Sequence, residues 1–175
     1  MKAKNYRRTD GMIYTRHEFI HGPPASRVTK HTAGDPAQDY THELLLLPET
    51  NLQIRDVALE SARVTLSKVL TEGLNNRFFA ELRAHPHHVL RENKMIFGAH
   101  ADRLQEGMRR AFGKPIGRAA RVEPGQTVFR VATYADGVQK AREALEMAAK
   151  KLPKKYVIVE RQLKLASQPA SQPSG

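Results

Sequence analysis

Arg109 and Arg110, followed by Phe112, Gly113 and Lys114, are the residues of this chain best equipped to engage a ligand. Arginine forks bind phosphate oxygens bidentately, and an aromatic ring among them can stack on an unpaired base. The surrounding stretch, residues 85–121, carries eight Lys/Arg against three acids. Gly98, Gly107, Gly113 and Gly117 interrupt it, and glycine lets a backbone come close to whatever it binds. Basic side chains on a glycine-broken backbone suit a surface fitted against phosphates.

Other chemistries fit the same stretch less well. His85, His87 and His88 suggest a metal cluster, but neighbouring strand residues point to opposite faces, the chain has no cysteine, and no H-E-x-x-H is present. Contact with RNA, by stacking or by hydrogen bonds to phosphate, is the better use for these rings. Residues 107–114 (GMRRAFGK) approach a nucleotide-binding P-loop and fail it twice. Five residues instead of four separate the glycines, and Pro115 replaces the magnesium-holding Ser/Thr. Asp102 and Glu106 can share one helical face, yet they pair more simply with Arg103, Arg109 or Arg110 than act as an acid/base couple. No catalytic residue, metal site or cofactor site is expected.

The whole chain supports a polyanionic partner. Its 175 residues have a formal net charge of +11, which costs self-repulsion in the absence of such a partner. The charge is segregated: residues 1–30 and 85–121 each carry +5, whereas residues 31–84 carry −3. A membrane is the poorer candidate, because the aliphatic run at 44–47 is far below the roughly 20 residues of a span. The basic N-terminus lacks the apolar stretch of a signal peptide, and a soluble cytoplasmic protein is expected. Two functional classes fit: a structural nucleic-acid-binding protein, or an enzyme acting on RNA with the basic stretch as its substrate clamp. The enzyme has no nucleophile, cofactor loop or metal set to accompany the clamp.

The elements that must position these residues are readable in outline. Residues 1–24 show no periodicity and interleave Tyr6, Tyr14 and Phe19 with Arg7, Arg8, Arg16 and His17. Such a segment is expected to order only on RNA. Strands are expected at 26–31, 41–47, 77–83 (anchored by Phe79 and Leu82), 88–92, 118–122, 127–133 and 156–159, with a loop at 32–39. Pro124-Gly125 between two of these strands predicts a hairpin turn. A first helix follows a Thr50/Gln53 capping box, with Ile54, Val57, Ala58, Ala62, Leu66, Val69 and Leu70 inward and Arg55, Asp56, Glu60, Arg63 and Lys68 outward. Gly73 is expected to end it. A second helix starts near Asp136 as its cap, buries Val138, Ala141, Leu145, Ala148, Ala149 and Leu152, and stops at Pro153. The order predicts an α+β sandwich with two helices packed on a mainly antiparallel sheet and a long basic internal loop.

The runs HPHHVLRENKM (85–95) and GAHADRLQEGMRRAFGKPIGRAARV (98–122) resemble the archaeal and eukaryotic branch of a universal large-subunit ribosomal protein family. This branch is called L-ten-e, and its bacterial counterpart is L-sixteen. The likeness extends from about Tyr14-Thr15-Arg16 to Val159. It takes in Gln53-Ile54-Arg55, residues 58–63 and Lys151-Leu152-Pro153. His100 departs from it, standing where glycine is common, and so do the two Ala-Ser-Gln-Pro copies at 166–173.

The resemblance implies an α/β-hammerhead-like sandwich that binds large-subunit rRNA near 5S rRNA and the central protuberance. It also implies other large-subunit ribosomal proteins as neighbours, and tRNA in the aminoacyl and peptidyl sites as a partner of a loop at 98–117 that reaches toward the peptidyl-transferase centre. The expected organisation is a basic extension at 1–24, one domain at 25–165 and a low-complexity, disordered tail at 166–175. The expected RNA contacts are Arg7, Arg8, Arg16, His87, His88, Arg91, Asn93, Lys94, Arg103, Gln105, Arg109, Arg110, Lys114 and Arg118.

Overall fold

The computed structural model describes residues 4–93 and 111–163. In chain order the elements are α1 (Lys4–Arg7), β1 (Thr32–Gly34), β2 (His42–Pro48), β3 (Leu52–Arg55), α2 (Asp56–Leu74), β4 (Phe78–Leu82), β5 (His88–Glu92), β6 (Lys114–Val122), β7 (Phe129–Thr133), α3 (Val138–Ala149) and β8 (Tyr156–Gln162). The strands form two antiparallel sheets, one of five in the order β1-β4-β7-β2-β8 and one of three in the order β3-β6-β5. The α+β reading holds, with two helices packed against mainly antiparallel sheets. Among the described residues no helix is long and apolar enough to cross a membrane.

One core joins all these layers. Helix α2 buries Leu59, Ala62, Leu66 and Leu70, a stripe at three- and four-residue spacing. Helix α3 answers with Leu145 and with Ala141, Ala144 and Ala148, whose small side chains let the two helices approach. Leu44, Leu46, Phe78, Phe129 and Val131 come from the large sheet, and Leu52, Ile54, Ala120 and Val122 from the small one. Each fully buried leucine of this set contributes about 2 kcal/mol. On the other face of the large sheet, Arg130 bonds the carboxylate of Glu43 and lies 3.6 Å from that of Glu81.

Several elements differ from the expected ones, each for a local reason. Residues 52–55 (LQIR) form a strand where a capped helix start was expected. Leu52 and Ile54 enter the core while Gln53 and Arg55 face the other way, a period of two. Helix α2 therefore starts at Asp56, which is buried and not outward. Its carboxylate accepts the Val57 N–H at 2.9 Å and the Arg27 N–H at 3.2 Å. Val57, expected inward, is half exposed. The helix ends not at Gly73 but at Asn75, whose φ of 52° and N–H bond to the Thr71 carbonyl close its last turn.

The strand expected at 26–31 lies at Thr32–Gly34, inside the expected loop. There Gly34, at φ +90°, lets the chain pass so near β4 that a Cβ would stand 2.0 Å from the Phe78 carbonyl oxygen. In β4 Leu82 is buried as expected, but the aromatic anchor is Phe78, with Phe79 on the opposite face. The Pro124-Gly125 turn forms, with Gly125 at φ +86° and the Gln126 N–H on the Glu123 carbonyl. It makes no hairpin, because β6 belongs to the small sheet and β7 to the large one. Asp136 does not cap α3; it pairs with Arg77 at 3.1 Å. The loop expected at 98–117 ends earlier, since β6 already begins at Lys114. Residues 164–175, including the Ala-Ser-Gln-Pro tail, lie outside the described residues.

Candidate nucleic-acid interface

The small sheet carries the site, and its register sorts the side chains. Arg55, Ala119 and His88 align across the three strands on one face, with Gln53 and Arg121 beside them. This outer face is not open: Ala119 is fully buried, and Leu90, His88 and Gln53 are buried too. What covers them is the N-terminal segment. Helix α1 packs on β3 and β5, the Tyr14 carbonyl accepts the Val89 N–H at 2.9 Å, and the Tyr14 N–H donates to His88 Nδ1 at 2.9 Å. A segment expected to order only on RNA is thus seated on the protein as a strap along the edge strand β5.

The strap is held largely by arginines. Arg55 lies over the Tyr6 ring at 5.3 Å and Arg91 over the Tyr14 ring at 4.7 Å. Arg118 Nε donates to the Pro24 carbonyl at 2.7 Å, and Arg121 donates to the Gly11 carbonyl. These four guanidiniums position the strap, so one basic patch includes both sheet and strap. Arg55 and Arg121 were missed in the sequence reading. The two-faced L-Q-I-R alternation was the signal that could have found Arg55; for Arg121, the turn was expected to lead into a hairpin within one sheet.

His88 is committed internally. Burial, reinforced by the charges of Arg121 and His87, pulls its pKa down to about 4. The ring is neutral near pH 7, with Nδ1 free to accept the Tyr14 N–H. His85 stacks on His31 with centroids 5.6 Å apart. Burial first, then His31, His87 and Arg118, lowers its pKa as well. His87 Nδ1 lies 2.9 Å from the His85 carbonyl oxygen.

The other expected contacts fall into two groups. Arg7, Arg8 and Arg16 are exposed on the strap, Arg8 beside Asp10 at 3.5 Å and Arg16 beside Glu18 at 3.6 Å. Asn93 and Lys114 are exposed at the end of the small sheet, next to the exposed Phe112 ring. Lys94, Arg103, Gln105, Arg109 and Arg110 lie outside the described residues, as do Asp102, Glu106 and His100. The two ends of that stretch nevertheless meet. Glu92 pairs with Lys114 across β5 and β6. Gly113, at φ +71°, sits so close that a Cβ would lie 2.4 Å from the Glu92 carbonyl carbon and 2.5 Å from the Asn93 nitrogen. A bulge beside Leu90 and Arg91 leaves Ile116 as the extra residue of β6. Among the described residues no group of three or more His, Asp or Glu side chains is arranged to hold a metal ion.

Fold and face together define an antiparallel α+β protein whose smaller sheet presents a strapped, arginine-rich surface. The family model described as ribosomal protein L16p/L10e matches residues 2–159. The chain is 49% identical over 144 residues to the large ribosomal subunit protein uL16 of Hyperthermus butylicus, covering 82% of this chain and 80% of that one. It is 46% identical over 168 residues to the uL16 of Staphylothermus marinus, covering 95% and 97%. Against the uL16 of Methanoculleus marisnigri the identity is 45% over 159 residues, covering 90% and 94%. The chain belongs to the ribosomal protein L16p/L10e family. It is a structural constituent of the ribosome and not an enzyme, and its place is the cytoplasmic ribosome.

Proposed function

We propose that this protein is a component of the large ribosomal subunit that binds large-subunit rRNA beside 5S rRNA and the central protuberance. In this reading it helps shape the aminoacyl-tRNA site, and the segment between the small-sheet strands reaches toward the peptidyl-transferase centre and tRNA. The observation that carries the reading is the convergence of Arg7, Arg8 and Arg16 on the strap with Arg55, Arg91, Arg118 and Arg121 on the sheet beneath. Guanidiniums fit a folded RNA backbone better than lysines do, because less is lost on ordering them. The paired ends at Glu92 and Lys114 support a single excursion of the basic chain from one end of the sheet. That its relatives are large ribosomal subunit proteins supports assembly with the large subunit. Arg109, Arg110 and Lys114 then act as phosphate contacts, and Phe112 as a stacking surface.

Sedimentation of the protein with large subunits, under rising salt, tests this. The expected result is co-sedimentation that is lost only at high salt. Recovery in the supernatant at low salt would overturn the reading. Changing Arg109 and Arg110 together to Ala should weaken association while leaving the melting temperature nearly unchanged. A large fall in melting temperature would instead place those residues in the fold.

A further inference from the structure

Most sheet edges in this fold are short or covered. Strand β1 has three residues and β3 four, and β5 carries the strap, with its Val89 N–H on the Tyr14 carbonyl. Strand β8 is different. It runs for seven residues, Tyr156–Gln162, and among the described residues its one neighbour is β2. Its register against β2 has no bulge, and it contains no proline. Shortness, bulges and proline are what commonly blunt an exposed edge, and β8 has none of them.

The hydrogen-bond phase fixes what this edge offers. The Glu49 N–H donates to the Lys155 carbonyl at 3.3 Å just before β8, and the Leu163 N–H donates to the Thr41 carbonyl at 2.9 Å just after it. Bonded residues alternate along an antiparallel pair. Val157, Val159 and Arg161 therefore bond β2, while Tyr156, Ile158, Glu160 and Gln162 turn their N–H and C=O groups outward. Donors and acceptors alternating along an extended backbone match another extended backbone. An RNA backbone would accept from the N–H groups but oppose the carbonyls between them.

The side chains narrow the partner further. Val157, 47% exposed, and the half-buried Val159 share one face with Arg161. Arg161 lies opposite Glu43, whose carboxylate is already held by Arg130. A second copy of β8 fits this edge poorly. Antiparallel pairing centred on Val159 sets Glu160 against Ile158 and Arg161 against Val157, and pairing centred on Ile158 sets Arg161 against Lys155. Residues 164–175 suit it no better, because Pro169 and Pro173 lack the N–H a ladder needs.

We propose that β8 pairs with an extended segment of a different ribosomal protein, with apolar residues opposite Val157 and Val159 and an acid opposite Arg161. The inference rests on the large-subunit reading above for where the partner is met. In the free chain, amide exchange should be fast at Tyr156, Ile158, Glu160 and Gln162 and slow at Val157, Val159 and Arg161. Slow exchange at all seven would mean that the chain covers its own edge, and would overturn the proposal.

The chain has no cysteine, so Val157→Cys carrying a benzophenone reports the neighbour of this edge in purified large subunits. The expected product is an adduct with another protein. Adducts confined to rRNA or to a second copy of this chain, or no adduct, would overturn the proposal. In the labelled chain, Glu160→Pro removes an outward N–H and should lower the adduct yield about tenfold, the equivalent of one lost hydrogen bond, with the melting temperature nearly unchanged. Glu160→Ala gives up the same contact with Arg142 but keeps the N–H, and should keep the yield. Arg161→Pro removes an N–H bonded to β2 and should lower the melting temperature by several degrees. Equal melting of the two proline variants, or full yield from Glu160→Pro, would overturn the open edge. If the adduct fails while the labelled chain still co-sediments with large subunits, only this inference falls; a chain that never joins them removes the reading beneath it.

Discussion

Gly113 concentrates two demands at one residue: a φ of +71° and a backbone approach that leaves no room for a Cβ against Glu92 and Asn93. Gly113→Ala is therefore expected to cost roughly 1–3 kcal/mol, or several degrees of melting temperature in a chain of this size. An unchanged melting temperature would show that the contact gives way freely. His88 makes a different kind of test. Its folded pKa of about 4 lies below its ordinary 6.5, so the neutral ring stabilises the fold. That stability is fully present above pH 6.5 and is lost as pH falls toward 4, because the unfolded chain takes up the proton first. Denaturant midpoints at pH 7, 6, 5 and 4 should therefore fall more steeply for the parent than for His88→Asn, in which Oδ1 can still accept the Tyr14 N–H. Equal slopes would sink the assignment.

At the scale of elements, the strap and the start of α2 are the two places where a short segment holds a larger one. Deleting residues 1–16 would uncover Ala119, Leu90, His88 and Gln53 and strip partners from Arg55, Arg91 and Arg121. The expected loss is roughly 2 kcal/mol, a fall of about 4–8 °C. A truncated chain that melts with the parent would mean the strap contributes nothing. Asp56→Ala removes the acceptor for the N–H groups of Val57 and Arg27 and should cost about 1–2 kcal/mol. Each N–H uses a different carboxylate oxygen, so Asp56→Asn, which keeps one of the two acceptors, should recover only part of it; equal losses would point to charge and not hydrogen bonding. Neither feature was legible in the sequence as read. Tyr6, Tyr14 and their arginines carry no period, because they fit a surface made elsewhere in the chain. Asp56 looked like one more outward acid, because only the fold brings Arg27 to it.

Over the whole molecule, the segregated charge and the long basic stretch were legible because both are properties of composition. So were β5, which was placed correctly, the apolar stripe of α3, and the Ala62, Leu66 and Leu70 part of the stripe of α2. The division into two sheets was not, since it depends on where the turn at 123–126 sends the chain. The turn's residues fix its shape but not which sheet receives the next strand. The charge makes a prediction at this scale. Affinity for rRNA should fall by roughly 0.7–0.9 log units per phosphate contact for each tenfold rise in salt. Filter binding across a salt series measures the slope, and a flat profile would remove phosphate neutralisation as the source of affinity.

The meeting of Glu92, Lys114 and Gly113 also bears on how this chain can change over generations. A neck that is already closed makes the intervening length nearly free: each doubling of a flexible loop adds only about 0.6 kcal/mol. By loop closure alone, a longer or shorter chain between Glu92 and Gly113 would then cost the fold little, and selection acting on that length would leave the sheets as they are.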